Sequence, residues 1–264
     1  MVTGPRGAEA ERPSAAWRST FEWVHPALWI VGSLLAWELG CRLGNVPAFI
    51  LPTPSQVLLR IAIDWRILIA QAWNSAIYIL LGFLLGALPA VVLGLAMANL
   101  RWLEKALYPL VVFIQTTPQI SIAPLLIVWF GYGPTPKVLL AGMIAFFPVL
   151  IDSTTGFKSL DPRLLYVTRS MGASAWQTLL RVRLPAALPL IVSGCRIALL
   201  MAVTVVIVVE FLSSNTGLGF VATRALANQD LPLMFAAIFV AVAIGLLFNA
   251  LVDLFARLAM PARR

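Results

Sequence analysis

Residues Asp161 to Pro189, DPRLLYVTRSMGASAWQTLLRVRLPAALP, form the longest polar and basic interruption between the apolar runs of this chain. Asp161 can cap a helix whose first residue is Pro162, a position where a missing N–H costs nothing. That helix is expected to stop at Gly172, which reaches a left-handed or tight conformation without a Cβ penalty. Ser174, followed three residues later by Gln177, reads as a capping box that opens a second short helix. Pro185 and Pro189 then mark its end and the return to an apolar run. A helix, a glycine corner and a second helix between membrane spans make a docking surface, and the functional centre is expected there.

The surroundings require the spans. Of 264 residues, 61% are hydrophobic and 11% charged, with a mean hydropathy of +0.92. A soluble domain carries roughly a quarter charged residues. The chain is therefore read as an all-α polytopic membrane protein of about six transmembrane helices, each needing roughly 20 apolar residues. A cytosolic coupling helix is expected between the fourth and fifth spans. No alternation or aromatic girdle points to a β-barrel. The formal charge of +8 is no nucleic-acid signature, because the basic residues fall in short loops, where they orient the protein. Cys41 and Cys195 lie in separate apolar runs without pair or metal spacing and read as small buried residues.

Residues 1–26 read as a cytosolic tail, residues 27–70 as a first span with an interfacial segment, residues 71–258 as the transmembrane domain, and residues 259–264 as a second tail. The coupling loop occupies 158–185. Prolines 47, 52 and 54 break the chain after the first span, and Ser55 is expected to cap an amphipathic interfacial helix carrying Arg60, Asp64 and Arg66. The second span, from Gln71 to Ala98, contains Gly82 and Gly86, a close-packing pair. The third, Ala106 to Phe130, has a polar middle, IQTTPQISIAP, from Ile114 to Pro124. Gln115, Thr116, Thr117 and Gln119 there would be costly against lipid and should face other helices or a watery path. The fourth, fifth and sixth spans are placed at Val138–Thr155, Leu190–Phe211 and Leu233–Phe255, with a short helix between the last two. A cytosolic N-terminus assigns thirteen basic residues to the inside and five to the outside, the five being Arg42, Arg60, Arg66, Lys137 and Arg224.

Catalytic patterns are missing. The lone His25 sits in the tail, and no Gly-x-x-x-x-Gly-Lys-Ser/Thr loop is present to cradle ATP phosphates. The chain is not expected to be an enzyme or to hold a cofactor or metal. Arg196 and Glu210 are the ionisable residues in spans with the best claim on a pathway, as members of ion pairs that lock a gate. Fourteen residues apart, they lie about 21 Å from each other along one helix and cannot pair together.

The central loop resembles the EAA loop of ABC importer permeases of the type I fold, whose pattern is Glu-Ala-Ala, three residues, Gly, nine residues, Ile, one residue, Leu-Pro. Gly172 is followed after nine residues by Val182, Arg183, Leu184 and Pro185. Tyr166-Val167-Thr168 stands where the pattern has Glu-Ala-Ala, so the glutamate that contributes to the family's ATPase contact has no counterpart here. Four further blocks, APLLIVWFGYGPTPKVLL, FFPVLIDSTTGFKSLDP, LPAALPLIVSGCRIAL and VVEFLSSNTGLGFV, are similar to the nitrate, sulfonate and taurine-type group. Within it the phrasing looks closest to permeases for vitamin-like heteroaromatics such as pyrimidine precursors or riboflavin. The resemblance implies ATPase subunits, an extracytoplasmic solute-binding protein and a second permease subunit, by default a second copy, all working in membrane lipid. It places Arg163, Tyr166, Arg169, Gly172, Ala173, Leu184 and Pro185 at or near the ATPase contact.

Overall fold

The computed structural model describes residues 15–259, with the side chains of residues 15–27, Pro162 and Arg169 outside that description. The expectations for His25 and for the basic residues of the two tails therefore lie outside the described side chains. Among the described residues every regular element is a helix.

Helix α1 (Ala15–Leu43) begins inside the segment expected as a tail and carries the first expected span. Its Trp37 stacks on Phe239 at 6.3 Å and tilts against Phe235 at 5.9 Å. Helix α2 (Pro54–Ile63) is the expected interfacial helix, but its cap is Thr53 and not Ser55. The Thr53 hydroxyl accepts from Gln56 N–H at 3.3 Å while the Gln56 side chain accepts from Thr53 N–H at 3.0 Å, a reciprocal box. Ser55 is thereby free to donate its N–H and hydroxyl to Glu38, at 3.0 and 2.8 Å, which fastens α2 to α1.

Three long helices make the centre: α3 (Trp65–Asn99), α6 (Pro134–Lys158) and α9 (Leu184–Ser213). Small residues let them approach. A Cβ at Gly82 would lie 2.5 Å from Ala141 Cβ, and one at Gly86 would lie 2.2 Å from the Gly142 carbonyl oxygen. Gly94 meets Ser153 in the same way, so the glycine pair seen in sequence is part of a stripe that seats α3 on α6. On the other side of α6, Gly194 of α9 meets Pro148 and Asp152.

The third expected span is not one helix. It divides into α4 (Arg101–Thr116), a 3₁₀ turn at Gln119–Ile122 and α5 (Ala123–Phe130), the two halves bent by 79°. Pro118 has no N–H to donate and drives Thr117 into the extended region, ψ 134°, so the helix ends there. Four helices are long and apolar enough to cross a membrane among the described residues, five if this bent pair counts as one. The expectation of six rested on α1 as well, whose first part falls among the undescribed side chains.

Helix α7 (Pro162–Ser170) stands as expected. The second short helix, α8 (Ala175–Thr178), does not end at Pro185. It runs through a π turn at Leu179–Arg183 into α9, one continuous stretch of 39 residues from Ala175 to Ser213. The π turn widens the backbone, with Leu184 N–H donating to the Leu179 carbonyl, and so accommodates a ring that an α-helical turn would clash with. The chain closes with α10 (Leu218–Ala227) and α11 (Leu231–Ala259).

Candidate functional site

The polar bend and the middles of α6 and α9 border an open cavity of about 580 Å³. Gln115, Thr117 and Gln119 line it from the bend, Ile144, Phe147 and Pro148 from α6, and Met201, Thr204 and Val205 from α9. No ionisable side chain is among the described residues lining it. Thr116 is exposed beside the cavity and spends its hydroxyl on the Phe113 carbonyl at 2.7 Å. Pro118 breaks the helix between them, and Gln115 from the end of α4 and Gln119 from the turn that follows line one space.

Arg196 and Glu210, expected with these residues, line no part of that cavity. Arg196 pairs with Asp253 of α11 at 2.5 Å, with both side chains partly exposed. Glu210 lies at the end of α9 far from the central polar loop and is 1% exposed. Its carboxylate accepts from the Ser75 hydroxyl at 2.8 Å and from Gly219 N–H at 3.0 Å, and the Lys137 ammonium stands 3.7 Å away. Lys137, assigned by sequence to an outside turn, is itself 2% exposed in the first turn of α6. It donates to the Thr216 carbonyl at 3.3 Å and lies 4.5 Å from the centre of the Tyr78 ring. Ser75 accepts from Leu218 N–H at 2.9 Å and Gln71 from Gly217 N–H at 2.7 Å. Sequence reasoning missed Lys137, Ser75 and Gln71. The one available signal was polarity at Ser75 inside an apolar run.

The glycine corner of the central loop sits at the other end of the same long helices. The Asp161 carboxylate caps α7 by accepting from Arg163 N–H at 2.8 Å. Gly172 has φ +76°, and Ala173 N–H donates to the Thr168 carbonyl at 3.1 Å, the long bond of a Schellman ending. The capping box of Ser174 with Gln177 is present on both arms, at 2.9 and 3.2 Å. Tyr166, Val167, Met171 and Trp176 are all exposed, an apolar surface on a segment flanked by Arg163 and Arg181. Pro185 is exposed and Ala173 half-buried, whereas Leu184 packs inward near Phe157, Ala187 and Ile191. The side chain of Arg169 lies outside the described residues. Two polar ties hold the base of the corner to the α3–α4 junction: Arg183 to Asn99, and Lys158 to Glu104.

Residues 90–264 match the family model described as binding-protein-dependent transport system inner membrane component. The chain is 37% identical over 247 residues to the riboflavin transport system permease protein RibX of Chloroflexus aurantiacus, covering 90% of each. It is 30% identical over 248 residues to the formylaminopyrimidine transport permease protein ThiX of Halalkalibacterium halodurans, covering 94% of this chain and 99% of that one. Among solved structures, a chain of the MetNI methionine ABC transporter in an inward-facing conformation shares the fold at a TM-score of 0.61 and 20% identity, over 75% of this chain and 98% of that chain.

Proposed function

The chain belongs to the family of binding-protein-dependent transport system inner membrane components, the permeases of ABC importers, and from that premise we propose how its parts divide the work. Residues 71–258 are the transmembrane domain, the corner at 158–185 receives a separate ATPase subunit, and the cavity at the polar bend belongs to the solute pathway. ATP hydrolysis takes place on that separate subunit, and two copies of this chain form the pore in the lipid bilayer. Both termini and the corner face the cytosol, so the binding protein meets the opposite end.

The observation that carries this reading is the continuity of α9. One helical stretch runs from Ala175 at the corner to Met201, Thr204 and Val205 in the cavity wall, about 40 Å at 1.5 Å per residue. A displacement at the corner is thereby carried to the cavity along one helical stretch, by way of the π turn at Leu179–Arg183. Gly172 sets the angle between α7 and this rod. Arg163, Tyr166, Arg169 and Ala173 form the contact, and Leu184 and Pro185 carry it into the span.

The lining supports one solute class within this reading. Gln115, Gln119, Thr117 and Thr204 line the cavity beside Phe147 and Met201, the two threonine hydroxyls donating to the Phe113 and Leu200 carbonyls and so left as acceptors. An uncharged heteroaromatic with ring nitrogens and carbonyls finds both hydrogen bonds and apolar surface there. A nitrate or sulfonate would shed hydration with no cation to receive it. The reading is therefore a vitamin-like heteroaromatic of the riboflavin or pyrimidine-precursor kind.

The test is reconstitution of the chain with its ATPase and binding protein in proteoliposomes, offering radiolabelled riboflavin, formylaminopyrimidine and taurine. ATP-dependent accumulation of one of the first two, and not of taurine, is expected. Accumulation of taurine alone would overturn the solute class and leave the division of labour intact. Uptake that persists without the ATPase would make the chain a stand-alone carrier.

A further inference from the structure

A buried ion pair adds little net stability over apolar side chains of the same volume, yet removing one partner is strongly unfavourable. Such a pair acts mainly by permitting one arrangement and disfavouring others. Around Glu210 that arrangement joins four pieces of the chain: α3 through Ser75 and Gln71, α6 through Lys137, α9 through Glu210 itself, and the loop into α10 through the backbone of Thr216, Gly217 and Gly219. Both oxygens of the carboxylate are engaged, and the ammonium has a carboxylate, a carbonyl and an aromatic face around it. Gly217 is held at φ +102°, and a Cβ there would fall 2.0 Å from Glu210 Oε1, so the loop is seated directly on the carboxylate.

The same two helices are fastened a second time toward the corner. A Cβ on Gly194 of α9 would lie 2.9 Å from the Pro148 carbonyl oxygen of α6, and one on Gly156 of α6 would lie 2.9 Å from the Ala187 carbonyl oxygen of α9. The residues that α6 and α9 give to the cavity, at 144–148 and 201–205, come between the Gly156–Ala187 contact near the corner and the Lys137–Glu210 pair at the far end, with the Gly194–Pro148 contact at the cavity's edge. Two walls fixed to each other at both ends cannot part easily. The third wall is the broken segment around Thr117 and Pro118.

We propose that Glu210 and Lys137 are positioning residues for transport, clamping the far end of α9 to α6 so that displacement of the coupling corner moves both cavity walls as one body. Opening and closing then fall to the Thr117–Pro118 break. The proposal rests on the reading of the corner as the ATPase contact and of the cavity as the pathway. Ser75 and Gln71 act through the clamp by seating the loop; neither touches the cavity.

The experiment uses the whole complex, with ATPase and binding protein, carrying Cys41→Ser and Cys195→Ser. Nitroxide labels at Thr135 in the first turn of α6 and Leu212 near the end of α9, both exposed, report the clamp, with labelled chain diluted so that most complexes carry one labelled copy. In the otherwise unaltered chain a single distance is expected, the same without nucleotide and with ATP and vanadate trapped. The double variant Lys137→Met/Glu210→Gln leaves no buried charge unpaired. It should broaden that distance and cut the stimulation of ATP hydrolysis by the binding protein about tenfold, within the usual range of coupling between sites, while basal hydrolysis persists. A merely structural pair would lower the amount of assembled complex and leave the stimulation per complex unchanged. A distance that shifts between nucleotide states in the unaltered clamp, or full stimulation in the double variant, overturns the proposal. Hydrolysis by the complex of the unaltered chain that ignores the binding protein overturns the functional reading beneath it and the clamp with it.

Discussion

Gly172 holds φ +76° with no heavy atom within 4 Å of the place a Cβ would occupy, so its glycine is required by backbone conformation and not by space. The expected order of tolerance follows. Gly172→Asn, which visits the left-handed region readily, should keep ATPase binding close to normal. Gly172→Ala should cost about 1–2 kcal/mol in the corner conformation, and Gly172→Val more, because a β-branched residue is a true outlier there. Co-purification of the ATPase with each variant measures this, and equal yields across the series would remove Gly172 from the geometry of the contact. Gly217 presents the opposite case, with a positive φ and a carboxylate in the way. The glycine corner at 172 was legible in sequence because a helix, a stop and a capping box are local signals. Gly217 was not, because its reason is Glu210, and the two meet only once α9 and α10 are packed.

Helices were the easier layer to read. Long apolar runs demand them in lipid, where every N–H and C=O must be satisfied within the segment, and α3, α6 and α11 lie close to where hydropathy puts them. Local competition decided the misreadings. Thr53 took the cap of α2 from Ser55 because Gln56 stands three residues after Thr53 and completes the box. Pro185 did not stop a helix because a π turn ahead of it absorbed the ring. Pro118 did break one, and that break carries a prediction. Cysteines placed at Gln115, Thr117 and Gln119 should react with a membrane-impermeant thiol reagent, while those at Ala123 and Leu126, buried against Leu140, Ile144 and Val205, should not. Uniform protection of the first three would put the polar bend against protein and remove it from the pathway.

At the scale of the whole molecule, the polar corner lies at one end of α6 and α9 and the buried cluster at the other, with the uncharged cavity between them. This gives the orientation a direct check. In intact cells a cysteine at Tyr132 should be labelled by an impermeant reagent and one at Met171 only after the membrane is opened; the reverse pattern would invert the molecule. The membrane class, the helical elements, the corner and the family pattern were legible from the residues alone, since hydropathy, caps, glycine stops and short motifs are properties of neighbouring residues. Packing was needed to make Lys137 a buried partner of Glu210 and not an outer-loop charge, to give Arg196 to Asp253, and to set the bend across a cavity from α6 and α9. The physical reason is sequence separation. Partners such as Ser75 and Glu210 stand 135 residues apart, and no period or local motif relates them until three packed helices bring them within a hydrogen bond of each other.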